Sequence, residues 1–171
     1  DSDHRLIKVI NANNEVITIN VYDEMGRIIY IYDAANRRSE YKQETVDSKE
    51  VITVTDRRNN PTVYTFYPDG NLESIKDAAG YTTTYTYKDN GLADTVTSPK
   101  GSFKYDYEMN ANGTIKKTKI TDSAGNYVES QYDEKGNIDT VSDFSNTTLN
   151  LVDNDYDAYG RLLKTKDGEG G

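Results

Sequence analysis

Cysteine and tryptophan are absent from the 171 residues, and His4 is the single histidine. Without Cys there are no disulfides and no thiolate metal sites, although Cys-free chains occur on bacterial surfaces and in the cytosol alike. A nucleophilic triad or a His-metal site would have to rest on His4. No apolar run is long enough to cross a bilayer, and neither a secretory signal nor a lipidation motif is present. Basic residues are the minority: 20 Lys and Arg against 29 Asp and Glu leave a formal charge of −9. That balance argues against nucleic acid as a partner and against insertion into or binding to an anionic membrane. The run Lys116, Lys117, Lys119 reads as the exposed edge of a strand. With Asp1 in place of Met and DGEGG closing partway through a turn, the chain reads as a fragment of a larger protein.

Apolar residues make up 35% of the chain, and 15 Tyr stand against 3 Phe. Tyr and Thr suit half-buried pleated surfaces, where a ring packs while its hydroxyl stays wet. The composition therefore predicts β-structure without a thick core.

A repeat of about twenty-two residues runs through the sequence. With a turn glycine as position zero, the anchors are Gly26, Gly70, Gly91, Gly113, Gly136 and Gly160. The same frame places two more at His4 and Lys49, giving seven to eight units in a single array over residues 1–171. Position minus four is aromatic at Tyr22, Phe66, Tyr87, Tyr132 and Tyr156. Position plus two is apolar, as at Leu6, Ile28, Leu72, Ile115, Ile138 and Leu162. Position plus five is usually β-branched, as at Val9, Ile31, Val54, Ile75, Val96 and Val141. Position plus seven opens a D-x-x-[GN] signal, as in Asp33–Asn36, Asp56–Asn59, Asp77–Gly80, Asp143–Asn146 and Asp167–Gly170. Asn11–Asn14 and Ser98–Gly101 are variants. The Gly113 unit carries two extra residues on each side, so Tyr107 lies six before the anchor and Asp122 nine after it.

Both signals are turns, because Asp or Asn accepts nearby backbone N–H groups and the following Gly or Asn tolerates φ > 0. Segments between them alternate like strands. Tyr85 with Tyr87, Tyr64 with Phe66, and Tyr105 with Tyr107 form i, i+2 aromatic pairs, and stacking the units predicts a ladder of rings on one face. Plus two and plus five are an odd number of residues apart. A bulge or an irregular strand start just past the anchor would let both face one way.

The unit Y-D-x-x-G-[RN]-[IL]-x-x-[IV]-x-D resembles the YD repeat of the Rhs family. Tyr22-Asp23-Glu24-Met25-Gly26-Arg27-Ile28, Tyr132-Asp133-Glu134-Lys135-Gly136-Asn137-Ile138 and Tyr156-Asp157-Ala158-Tyr159-Gly160-Arg161-Leu162 carry the likeness, which covers nearly the whole chain. Relatives include bacterial Rhs and wall-associated toxins, the C component of Tc toxins, and teneurins. The resemblance implies an all-β, curved and mostly antiparallel ribbon, an open segment of a hollow shell. In bacterial relatives that shell encloses a C-terminal toxin domain. A D-P-x-x-G-L-like autoproteolytic segment, typical of the family, does not occur here, so the expectation is shell wall alone. The implied partners are flanking repeats and the toxin domain of the parent chain, and the implied location is secreted or at a bacterial cell surface or wall.

Chemistry beyond this is sparse. Carboxylate pairs abound, but they sit at recurring turn positions, and His4 occupies an anchor. Asp153, Asp155 and Asp157 begin like a calcium loop that then fails at Ala158 and Lys164. Asn112-Gly113-Thr114 and Asn146-Thr147-Thr148 are glycosylation sequons. No phosphate loop, nucleophile elbow or metalloprotease motif is present, so no enzyme, cofactor or metal is expected. Two functions remain: a structural wall, and a carbohydrate-binding surface of Tyr, Asp and Asn rows. YD repeats have family-level links to adhesion, which supports the second.

Overall fold

The computed structural model describes residues 2–144 and 149–167. Among these there are strands and turns and no helix: β1 Lys8–Ile10, β2 Val16–Tyr22, β3 Ile28–Asp33, β4 Arg38–Val46, β5 Lys49–Thr55, β6 Pro61–Phe66, β7 Leu72–Lys76, β8 Thr82–Tyr87, β9 Ala93–Ser98, β10 Gly101–Met109, β11 Ile115–Asp122, β12 Tyr127–Tyr132, β13 Ile138–Asp143, β14 Leu149–Tyr156 and β15 Leu162–Asp167. The chain divides into two compact units, Asp1–Thr84 and Tyr85–Gly171. In each unit strands follow one another in sequence order, and the pairings are antiparallel hairpins. Each unit is thus an open β-meander.

Most loops share one geometry. Gly26 N–H donates to the Asp23 carbonyl at 3.0 Å, and Asp23 N–H donates to the Arg27 carbonyl at 2.9 Å. The fourth residue takes positive φ, as at Gly26 (81°), Asn36 (58°), Asn59 (69°) and Gly125 (89°). This is a type I turn closed by a left-handed residue, a common three-residue hairpin loop. The D-x-x-[GN] signals at Asp33, Asp56 and Asp77 form the same loop. Those ending at Asn146 and Gly170, and the sequon at Asn146, lie outside the described residues.

Two further hairpins are tighter. Ser98 pairs with Gly101. Val46 pairs with Lys49 across Asp47 and Ser48, which have φ of 50° and 63°. This corrects the anchor expected at Lys49: the last left-handed residue of the turn is Ser48, and Lys49 opens β5. The spacing from Gly26 and to Gly70 then becomes 22 residues on both sides. Counting overshot by one because a two-residue turn of primed type places two non-glycine residues at φ > 0. His4, by contrast, does adopt positive φ, at 60°.

Of the two expected irregularities past the anchor, the structure has the bulge. Val21 pairs with Tyr30 and Tyr22 with Ile28, which leaves Ile29 extra. Glu73, Lys116, Asp139 and Leu163 are the extra residues past Gly70, Gly113, Gly136 and Gly160. Each sits at plus three, so plus two and plus five return to the same face. Ile28 with Ile31, Leu72 with Ile75, and Ile138 with Val141 therefore share the face that carries Tyr22, Phe66 and Tyr132. The opposite face is mixed: Val21 stands opposite Tyr30 and Ile19 opposite Tyr32, but Lys42 opposite Thr53 and Thr65 opposite Ser74.

The ring ladder takes another form than expected. Tyr64 pairs with Ile52 on one side and Ile75 on the other. Tyr105 faces Ile120, Tyr107 faces Thr118 and Tyr132 faces Ile138. On the face of Tyr22 and Phe66, strands bearing rings thus alternate with aliphatic ones, and rings on that face lie two strand spacings apart, roughly 9.6 Å. Among the described residues no hydrophobic side chain is fully buried. Within each unit stability rests on cross-strand pairs and on hairpins held by their neighbours.

Candidate functional site

The recurring polar constellation is the turn carboxylate. Asp133 Oδ1 accepts N–H bonds from Lys135 and Asn137, both at 2.9 Å, while its Oδ2 accepts the Asn137 side-chain amide at 2.9 Å. Asp23 binds Met25 N–H, Arg27 N–H and Arg27 Nε in the same way, at 2.9, 2.9 and 2.8 Å. Asp157 repeats it with Tyr159 and Arg161. The [RN] after the anchor glycine therefore has a defined role: its side chain donates to the outer oxygen of the Asp. The D-x-x-[GN] turns have the same arrangement, with Arg37 on Asp33, Asn60 on Asp56 and Asn126 on Asp122.

These bonds favour the charged carboxylate. The backbone N–H of Arg27, Arg37 and Arg161 holds Asp23, Asp33 and Asp157 below the ordinary carboxylate range. For Asp56, Asp122 and Asp133 the side-chain amide of Asn60, Asn126 and Asn137 is the first cause. Where the first turn residue is Tyr67, Lys88 or Asn110, an acceptor just before the glycine substitutes. Asp69, Asn90 and Asn112 accept the N–H of Asn71, Leu92 and Thr114 at 3.0, 3.2 and 3.0 Å.

The second constellation joins neighbouring repeats. Tyr22 Oη donates to the Leu6 carbonyl at 2.9 Å, and Asn20 Nδ2 donates to the same carbonyl at 2.8 Å. Tyr156 and Asn154 make the matching pair on the Ile138 carbonyl, at 2.7 and 2.9 Å. In both cases the acceptor is the plus-two residue of the preceding unit, and Ile138 stands just before the bulge at Asp139. An Asn two residues before the Tyr was the sequence signal for this clamp, and reading the repeat by its glycines passes over it.

The remaining minus-four aromatics hold the corresponding strand positions. Phe66 pairs with Leu72, Tyr132 with Ile138, and Tyr87 ends β8. Burial pushes the Tyr107 phenol up, and the Lys88 ammonium lies 6.0 Å from its ring centroid. The anchor glycines Gly26, Gly70, Gly91, Gly113, Gly136 and Gly160 all have φ between 79° and 88°. Three charged residues at plus three form ion pairs: Glu73 with Lys49 at 2.7 Å, Asp94 with Lys88 at 2.5 Å, and Lys116 with Glu108 at 2.6 Å. Asp153 pairs with Lys166 at 3.4 Å while Asp157 caps its own turn. Those carboxylates therefore serve different partners.

No family model matches the chain, and no curated protein does. Among solved structures, one titled "Crystal Structure of TcdB2-TccC3 without hypervariable C-terminal region" aligns with a TM-score of 0.45 and 11% identity, over 94% of this chain and 12% of that one. A second, "Crystal Structure of TcdB2-TccC3-TEV", aligns with a TM-score of 0.42 and 13% identity, over 90% of this chain and 10% of that one. The chain thus spans about a tenth of the length of the chains that it matches.

Proposed function

We propose that this chain is a non-catalytic wall segment of a larger, secreted or surface-exposed protein of the Rhs/YD type, enclosing or displaying a further domain. The observation that carries the reading is how the polar side chains are used. The turn Asp, the [RN] after the glycine and the Asn–Tyr pair bind their own repeat or the preceding one. Such a unit extends a wall hairpin by hairpin and leaves few of its recurring polar groups for a substrate. A carbohydrate-binding surface would need free Tyr, Asp and Asn rows. Engagement of the turn carboxylates by N–H groups favours the wall.

The test is made on the parent chain, with the residues that follow this segment included. The following domain should resist protease until the wall is destabilised, for example by Tyr156→Ala. Digestion at the rate of the isolated domain would overturn the enclosing role. Specific signals on a glycan array, lost in Tyr variants that leave the melting transition unmoved, would favour adhesion instead.

A further inference from the structure

Within the first unit the ladder between β3 and β4 is short. Tyr30 pairs with Glu40, Ile31 with Ser39 and Tyr32 with Arg38, and beyond Tyr30 the strands part. β4 continues, paired with β5 as far as Val46 and Lys49. The side of Lys42–Val46 that faces β3 therefore has no ladder partner among the described residues, and all five residues are exposed. The opening is a cleft of about 470 Å³, bordered by Ile28, Ile29, Tyr41 and Ile52 with Asp23, Arg27 and Gln43. Arg27 spans its mouth, with Nε 2.8 Å from Asp23 Oδ2 and Nη1 3.2 Å from Gln43 Oε1. The other nine-residue strand, β10, also outruns its neighbour, since pairing with β9 stops at Lys104 and Thr95. There the Lys88 ammonium occupies the space between Asp94 and the Tyr107 ring. At β3–β4 the space is left as a cleft.

We propose that this cleft docks an extended peptide from a separate polypeptide, added as a strand to the open side of β4. An unpaired strand side presents N–H and C=O groups at strand spacing, and another extended backbone is the ligand that satisfies several of them together. Ile28, Ile52 and Tyr41 favour β-branched or aromatic side chains on one face of that peptide. Arg27 uses two of its five N–H donors on Asp23 and Gln43, leaving others for a peptide carbonyl. Lys42 and Glu44 pair at 2.7 Å and Asp23 pairs with Arg27, so the site selects a neutral strand. A second copy is disfavoured, because each copy carries a net charge of −9.

The test titrates the whole chain with the acetylated, amidated peptide Thr-Val-Thr-Ile-Thr and follows amide hydrogen exchange. Slowed exchange confined to Lys42–Val46, saturating with peptide, is the expected result. It should disappear when alternate peptide amides are N-methylated, which removes donors without changing the side chains. Gln43→Ala should weaken binding severalfold while leaving the melting transition in place. Unchanged exchange in β4 at millimolar peptide, or equal protection by the methylated peptide, would overturn the proposal. So would protection of the same amides by raising the protein concentration alone, since the occupant would then be a second copy.

Discussion

Tyr156 donates its phenolic hydrogen to the carbonyl of Ile138 at 2.7 Å, reaching across from β14 to the first residue of β13. The bond ties the aromatic of one repeat to the bulge of the one before. Tyr156→Phe should keep the ring and lose the bond, costing about 1 kcal/mol. Tyr156→Ala should cost about 2 kcal/mol or more, because ring packing goes too. Tyr159→Ala, at a side chain 85% exposed, should be nearly silent. Urea melts of the three variants check the order.

The turn glycines make a second prediction. Gly136 has φ of +85°, and a Cβ there would meet nothing within 4 Å, so the whole penalty of substitution is backbone strain. Gly136→Asn should be mild and Gly136→Val should cost about 2 kcal/mol or more. Gly101 differs, since its φ of +136° combines with Ser123 Oγ at 3.3 Å from the added Cβ. Gly101→Ala should therefore be worse than Gly136→Ala in thermal melts.

At the two-residue turn, Ser48→Gly should stabilise by up to about 1 kcal/mol, by relieving a left-handed non-glycine residue. Lys49→Gly should destabilise, since it puts glycine into β5 and removes the ion pair with Glu73. Opposite shifts in midpoint from neighbouring positions would verify the register of this hairpin.

Acid sensitivity should be shared among the turn carboxylates. The folded values of Asp23, Asp33, Asp56, Asp122, Asp133 and Asp157 lie below their unfolded ones. Their contribution is therefore present above the unfolded value of about 3.9 and is lost as pH falls through the lower folded values. Stability should decline below about pH 4. Asp133→Ala should lower stability at neutral pH and flatten that decline, as followed by circular dichroism.

How much of this was legible in the residues depends on range. Turn chemistry is local: an Asp, its two N–H donors and a glycine lie within five residues, so Y-D-x-x-G could be read directly as a hairpin loop. Alternation and the odd spacing of plus two and plus five likewise implied a bulge or an irregular strand start, because side-chain direction on a strand has a period of two. The frame points to Lys49 and the turn ends at Ser48, because two kinds of hairpin loop satisfy nearly the same spacing. The rest depends on which strand lies beside which. The Tyr156–Ile138 bond, the alternation of aromatic and aliphatic strands and the parting of β3 from β4 all join residues far apart in the chain. Register decides them, and register is set by many cross-strand pairs acting together, which no single motif records.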